Sequence, residues 1–189
     1  MDTSARPLPY PAQNFAPGLL LRAQPVEVLF LDVDGVLTDG GLYFTEAGEA
    51  IKRFHTLDGH GIKLLQRAGI TPAVVTGRDS PALRLRLQAL GVVHARFGTE
   101  DKRPAAEAIL AELGLGWAAA AAMGDDWPDL PMLRRAALAV CPPGAHPELL
   151  AMAHHVTQRA AGAGAVRELC DLLLTARGAY VRLLDEACQ

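Results

Sequence analysis

Short apolar runs alternate with amphipathic stretches along most of this chain. Runs at 28–33, 71–76, 92–97, 118–123 and 137–141 have the length of buried strands. Stretches at 60–69, 80–90, 102–113, 127–135, 146–152 and 163–176 carry the spacing of helices with one apolar face. Ser80 before Pro81 reads as an N-cap followed by proline at the first helical position. Gly69, Gly91 and Gly114 fall where helices should stop. This alternation predicts an α/β fold, a parallel sheet with helices on both faces. Ligands in such sheets gather at the carboxyl ends of the strands. The run AAAAAM at 118–123 conflicts with the pattern, because alanine favours helix. Its length, and its place just before Gly124-Asp125-Asp126, make it a strand nonetheless.

One insertion breaks the rhythm. Residues 41–54, GLYFTEAGEAIKRF, read as a small hairpin overhanging the end of the first strand, as a flap, an oligomer contact or both. Nothing divides the rest, so residues 26–178 are expected to form a single domain, with a C-terminal tail at 179–189. Residues 1–25 hold Pro7, Pro9, Pro11, Pro17 and Pro25 and read as a flexible leader; they lack the basic start and apolar stretch of a signal peptide.

Composition narrows the function classes. The 189 residues carry a formal charge of −3, and half are hydrophobic. No basic excess points to nucleic acid, and no apolar run reaches the roughly 18–20 residues that span a bilayer. Cys141, Cys170 and Cys188 are odd in number and form no CxxC pair, which reads as reduced thiols in a cytoplasmic protein. His146, His154 and His155 read as structural or surface residues.

The chemistry lies at four strand ends. In VLFLDVDGVLTDGG, an apolar run meets Asp32 and Asp34, with Gly35, Thr38 and Asp39 following. Carboxylates are rarely buried unless paired or metal-bound, so this step suits a hard cation and a phosphoryl group. One carboxylate can attack phosphorus while a second carries the proton of the leaving oxygen. Thr76-Gly77-Arg78 closes the next run: a hydroxyl and a backbone N–H suit phosphate, although a plain helix cap would use the same residues, and a guanidinium suits a substrate anion. Lys102, ahead of a helix, is a candidate charge for neutralising phosphate and nucleophile. In Gly124-Asp125-Asp126-Trp127-Pro128-Asp129, three carboxylates repel one another unless a cation sits among them. Asp125, nearest the strand end, is the best further metal ligand, while Asp126 and Asp129 suit the acidic first turn of a helix.

These four elements, in this order, resemble the haloacid dehalogenase superfamily of aspartate-nucleophile phosphatases. LDVDGVLTDGGLYF, FHTLDGHGIKLL, VVTGRDS, MGDDWPDLPML and GAVRELCDLLL resemble most its small phosphatases of sugar-acid phosphates, over about residues 26–176. The resemblance implies a Rossmann-like core with the hairpin in place of a cap domain, Mg²⁺ as cofactor, and a homotetramer whose active sites lie near subunit interfaces. It makes Asp32 the nucleophile and a metal ligand, and Asp34 the general acid/base with its carbonyl on the metal. Asp125 completes the metal site, and Thr76 and Lys102 hold the transferring phosphoryl group. It also implies that substrate is contacted by Asp34, His55, Thr56, Leu57, Asp58, Gly59, Lys63, Gly77, Arg78, Arg86 and Lys102. On periodicity alone, Lys63 and Arg86 are solvated helix charges. Ala163 stands where some relatives carry arginine.

Two other classes use similar residues. A phosphoacceptor signalling domain carries an acidic pair after its first strand and its acceptor after a later one, whereas here Asp32 follows the first strand. A non-catalytic assembly module would have no need of every catalytic residue type. Within the phosphatases, a nine-carbon sugar-acid phosphate is the alternative substrate.

Overall fold

The computed structural model of the chain describes residue 11, residues 13–46 and residues 48–189. Residues 1–10 and 12 of the expected leader therefore lie outside the described residues. Its described part does not match the expectation: residues Pro17–Ala23 form helix α1, started by proline at its first position. Ala23 is buried in the core, and Leu19 and Leu20 pack against it.

The chain continues with strand β1 (Val28–Leu31), then the hairpin strands β2 (Tyr43–Thr45) and β3 (Gly48–Ile51). Helix α2 (Thr56–Arg67), strand β4 (Thr71–Val75), helix α3 (Pro81–Leu90), strand β5 (His94–Arg96) and helix α4 (Lys102–Leu113) follow. Next are β6 (Ala120–Met123), α5 (Leu130–Leu133), β7 (Leu138–Cys141), α6 (Pro147–Met152), β8 (His155–Val156), α7 (Ala165–Ala176) and α8 (Tyr180–Ala187). The sheet order is β5-β4-β1-β6-β7-β8, and every pairing in it is parallel. The expected α/β class with helices on both sheet faces is what the chain adopts. The hairpin pairs antiparallel and apart from the main sheet.

The inner strands β4, β1, β6 and β7 are largely apolar runs because both faces are covered. Alternate residues supply two cores. Leu29, Leu31, Val74, Met123, Leu138 and Val140 face one core, shared with α1, α2, α3 and α7. Val28, Phe30, Ala73, Val75, Ala139 and Cys141 face the other, shared with α4, α5 and α6. The alanine run settles in the same way. Ala120, Ala121 and Ala122 are fully buried between β1 and β7, and burial on both faces overrides alanine's helical propensity. Residues 118 and 119, the start of the expected strand, belong instead to a 3-10 turn, Trp117–Ala119, and Trp117 packs on Phe30 with ring centroids 5.9 Å apart.

Several boundaries moved for local reasons. The first strand stops at Leu31, because the Val33 carbonyl accepts N–H bonds from Val36 and Thr38 and turns the chain out of the sheet. Helix α2 begins at Thr56, earlier than expected, because the His55 side chain accepts the Leu57 N–H as an N-cap. The helix expected over 127–135 is a 3-10 turn, Trp127–Asp129, followed by the single turn of α5; Pro128 and Pro131 remove backbone donors there. The tail contains α8, which buries Leu183. Strand β8 has two residues, too short for an alternation pattern.

Candidate active site

Sheet register places the polar strand ends side by side. Leu31 pairs with Val74 on one side and with Met123 on the other. Asp32 follows Leu31 and donates its N–H to the Met123 carbonyl, while Gly124 follows Met123. Thr76 lies two residues past Val74, with its N–H on the Arg96 carbonyl of the next strand. Three neighbouring strands therefore deliver their polar residues to one edge of the sheet.

The loop after β1 is braced by Thr38. Its buried hydroxyl accepts the N–H groups of Gly35 (3.4 Å) and Gly40 (3.3 Å). Gly35 has φ +89°, and a side chain there would run into the Asp125 carboxylate. Glycine at this position thus satisfies the turn and admits Asp125 beside Asp32.

Asp32, Lys102 and Asp129 form a buried constellation. The Lys102 ammonium donates to Asp32 Oδ1 at 2.5 Å and to Asp129 Oδ1 at 2.6 Å. Asp32 is 6% exposed, Lys102 3% and Asp129 1%. The other oxygen of Asp129, Oδ2, accepts the N–H groups of Asp125 (3.0 Å) and Asp126 (3.3 Å). Asp129 therefore has the capping duty its position suggested, and it also anchors the lysine. That second duty was missed: Asp129 and Lys102 stand on opposite sides of β6, and only the fold joins them.

Asp32, Asp125 and Asp129 can each present one oxygen within 4.8 Å of the others. Burial, then the charge of Asp129, pushes the Asp32 carboxyl up to about 6 against the pull of Lys102. Burial, then Asp32 and Asp129, pushes Asp125 up to about 7. For Lys102, burial works to lower the value, but Asp129 and Asp32 outweigh it and hold the ammonium charged. Among the described residues no lysine or arginine pairs with Asp125. Three carboxylates around one ammonium leave excess negative charge, and their oxygens are the hard donors a Mg²⁺ ion takes. The donor set fits such an ion, with Asp32 and Asp125 free to contribute an oxygen and Asp129 already committed.

Asp34 stands apart from that cluster. Its Oδ1 accepts a hydrogen bond from Lys52 at the base of the hairpin, and its Oδ2 lies 3.7 Å from Arg78 Nε. Arg78 and Gly77 are exposed, and the buried Thr76 hydroxyl accepts the Arg78 N–H at 3.2 Å. Lys52 was not singled out by its sequence, because its partner lies 18 positions earlier.

The remaining expected substrate residues fall elsewhere. His55 caps α2, with Thr56 and Leu57 exposed behind it. Arg86 reaches from α3 to the His55 carbonyl at 3.4 Å and abuts Gly59, where a side chain would meet its guanidinium. Asp58 is buried and turns to α7, accepting the Arg167 N–H at 2.8 Å. Burial raises its pKa despite that bond. Lys63 is exposed and borders a surface depression with Gln66, Arg67 and Gln88. The histidines have structural partners: His154 Nδ1 accepts the Ala139 N–H, and His155 bonds Glu168.

Residues 98–169 match a family of haloacid dehalogenase-like hydrolases. The chain is 40% identical to 3-deoxy-D-manno-octulosonate 8-phosphate phosphatase KdsC of Salmonella typhimurium, over 91% of this chain and 89% of the relative. A crystal structure of that phosphatase from Yersinia pestis superimposes with a TM-score of 0.86 at 40% identity, covering 88% of this chain and 90% of that one. The corresponding structure from Moraxella catarrhalis, in complex with magnesium, phosphate and KDO, gives a TM-score of 0.87 at 32% identity, covering 89% of this chain and 97% of that one.

Proposed function

The chain belongs to the 3-deoxy-D-manno-octulosonate 8-phosphate phosphatase family, and on that premise we propose that it hydrolyses this eight-carbon sugar-acid phosphate to KDO and phosphate, with Mg²⁺ as cofactor. The observation that carries the reading is the convergence of Asp32, Lys102 and Asp125 at the carboxyl ends of β1 and β6. Phosphoryl transfer is governed by positioning and charge neutralisation, which is what this cluster supplies.

In this mechanism Asp32 is the nucleophile. Lys102 holds Oδ1 and leaves Oδ2 to attack phosphorus in line with the ester oxygen. Asp34 gives the leaving sugar oxygen a proton, then takes one from the water that cleaves the aspartyl-phosphate. Lys102 and the Thr76 hydroxyl bind the transferring group's oxygens, and Arg78 faces the sugar acid. When bound by Asp32 and Asp125, Mg²⁺ supplies Lewis-acid neutralisation of the phosphoryl charge.

The hairpin supports assembly as a homotetramer with active sites near subunit interfaces: Tyr43, Phe44 and Ile51 are all exposed on it. No described helix is long and apolar enough to cross a membrane. The three free cysteines are consistent with a reducing cytoplasm.

A panel of sugar-acid phosphates with Mg²⁺, read by phosphate release, tests the reading. The eight-carbon 8-phosphate is expected to give the highest kcat/KM, and EDTA to abolish turnover until Mg²⁺ is restored. Preference for a nine-carbon 9-phosphate, or full activity in metal-free protein, would overturn it.

A further inference from the structure

The hairpin carries a buried cation that the phosphatase reaction as described does not use. Lys52 directly follows β3, and its side chain is only 2% exposed. Its ammonium is held between two carboxylates, Asp34 Oδ1 and Glu49 Oε1, the latter at 2.8 Å. Glu49 Oε1 is itself buried and, among the described residues, has no hydrogen-bond partner, so the lysine is the charge it faces. Burying a lysine ammonium and a carboxylate is costly unless the geometry is well made. A hairpin that only covered a surface would leave this lysine in water.

The consequence falls on Asp34. A free aspartate side chain samples several rotamers, whereas a group that moves a proton in two successive steps must stay in reach of the reacting oxygen. Lys52 occupies Oδ1, and Oδ2 is turned toward Arg78 on the exposed side. We propose that Lys52, backed by Glu49, is a positioning residue for Asp34: it holds one carboxylate oxygen so that the other exchanges the proton with the substrate's leaving oxygen. This makes the hairpin part of the catalytic apparatus, and it rests on Asp34 acting as general acid/base.

The test separates chemistry that needs a proton donor from chemistry that does not. An alkyl leaving group, as in the sugar phosphate, needs protonation; the p-nitrophenolate of p-nitrophenyl phosphate does not. First-turnover rates with Mg²⁺ are measured by rapid mixing on both substrates, for wild type, Lys52→Met, Lys52→Arg, Glu49→Gln and Asp34→Asn. Loss of a positioned acid is expected to slow the sugar phosphate's first turnover by about 10²-fold in Lys52→Met. The first p-nitrophenolate release should stay within about threefold of wild type, because general-acid catalysis contributes nothing to that step. KM for the sugar phosphate should be unchanged, and Lys52→Arg should restore most of the rate. Glu49→Gln keeps the lysine and gives a smaller loss in the same direction, which decides the matter if Lys52→Met does not fold. Equal slowing on both substrates, or an effect confined to KM, overturns the inference when Asp34→Asn still discriminates between them. If Asp34→Asn fails to discriminate, the acid/base assignment falls, and the role of Lys52 falls with it.

Discussion

Asp125 is the residue whose environment is least comfortable without a partner. Burial and the neighbouring carboxylates, Asp32 and Asp129 foremost, raise it to about 7 against the pull of Lys102, and among the described residues no lysine or arginine pairs with it directly. A carboxyl whose folded value lies above its unfolded one contributes stability at low pH and loses it as pH rises through the folded value. Metal-free protein should therefore lose stability as pH rises from about 4 through about 7, and Asp125→Asn should recover about 1–3 kcal/mol at pH 8 in a chemical denaturation series. The same variant should respond to no concentration of Mg²⁺; a variant no more stable than wild type, or one activated normally, would contradict the assignment. Protons and Mg²⁺ compete for these groups. From pH 8 to 6 the raised carboxyls of Asp125 and Asp32 take up protons, so the apparent Mg²⁺ dissociation constant should rise by calorimetry. A flat profile would show that other atoms hold the ion. Asp32, Asp34, Lys102 and Asp125 were legible because each follows an apolar run or starts a helix with a charge a plain core would not keep. Lys52 and Asp129 were not, since each takes its meaning from a partner many residues away.

At the scale of elements, β6 shows why local propensity misleads. Its alanines are helix formers held extended by two neighbouring strands and by cores on both faces. Small side chains let the helices approach the sheet beside Phe30 and Leu31. Ala122→Leu should therefore cost about 1–3 kcal/mol through overpacking, read by thermal unfolding. A neutral effect would mean the second core has spare room. The alternation of apolar runs and amphipathic stretches was enough to show the sheet and its main helices. It could not reveal α1 or β8: α1 spans seven residues in a proline-rich stretch, and β8 spans two, less than one period of any pattern.

For the whole molecule, the hairpin is the element with two proposed duties. Its exposed Phe44 and Ile51 support subunit contact, while Lys52 at its base reaches Asp34. Phe44→Glu with Ile51→Glu should reduce the proposed tetramer to smaller species by light scattering; an unchanged mass would place the interface elsewhere. Neither the oligomer nor the substrate follows from strand ends alone, since both depend on surfaces that a single chain does not pair with itself. The nucleophile is the point on which the account turns. Substrate labelled with ³²P at the 8-phosphate, mixed with enzyme and Mg²⁺ and quenched in acid within the first turnover, should leave label on the peptide containing Asp32, chased away by unlabelled substrate and absent in Asp32→Asn. Phosphate release with no labelled protein, accompanied by wild-type turnover in Asp32→Asn, would contradict it.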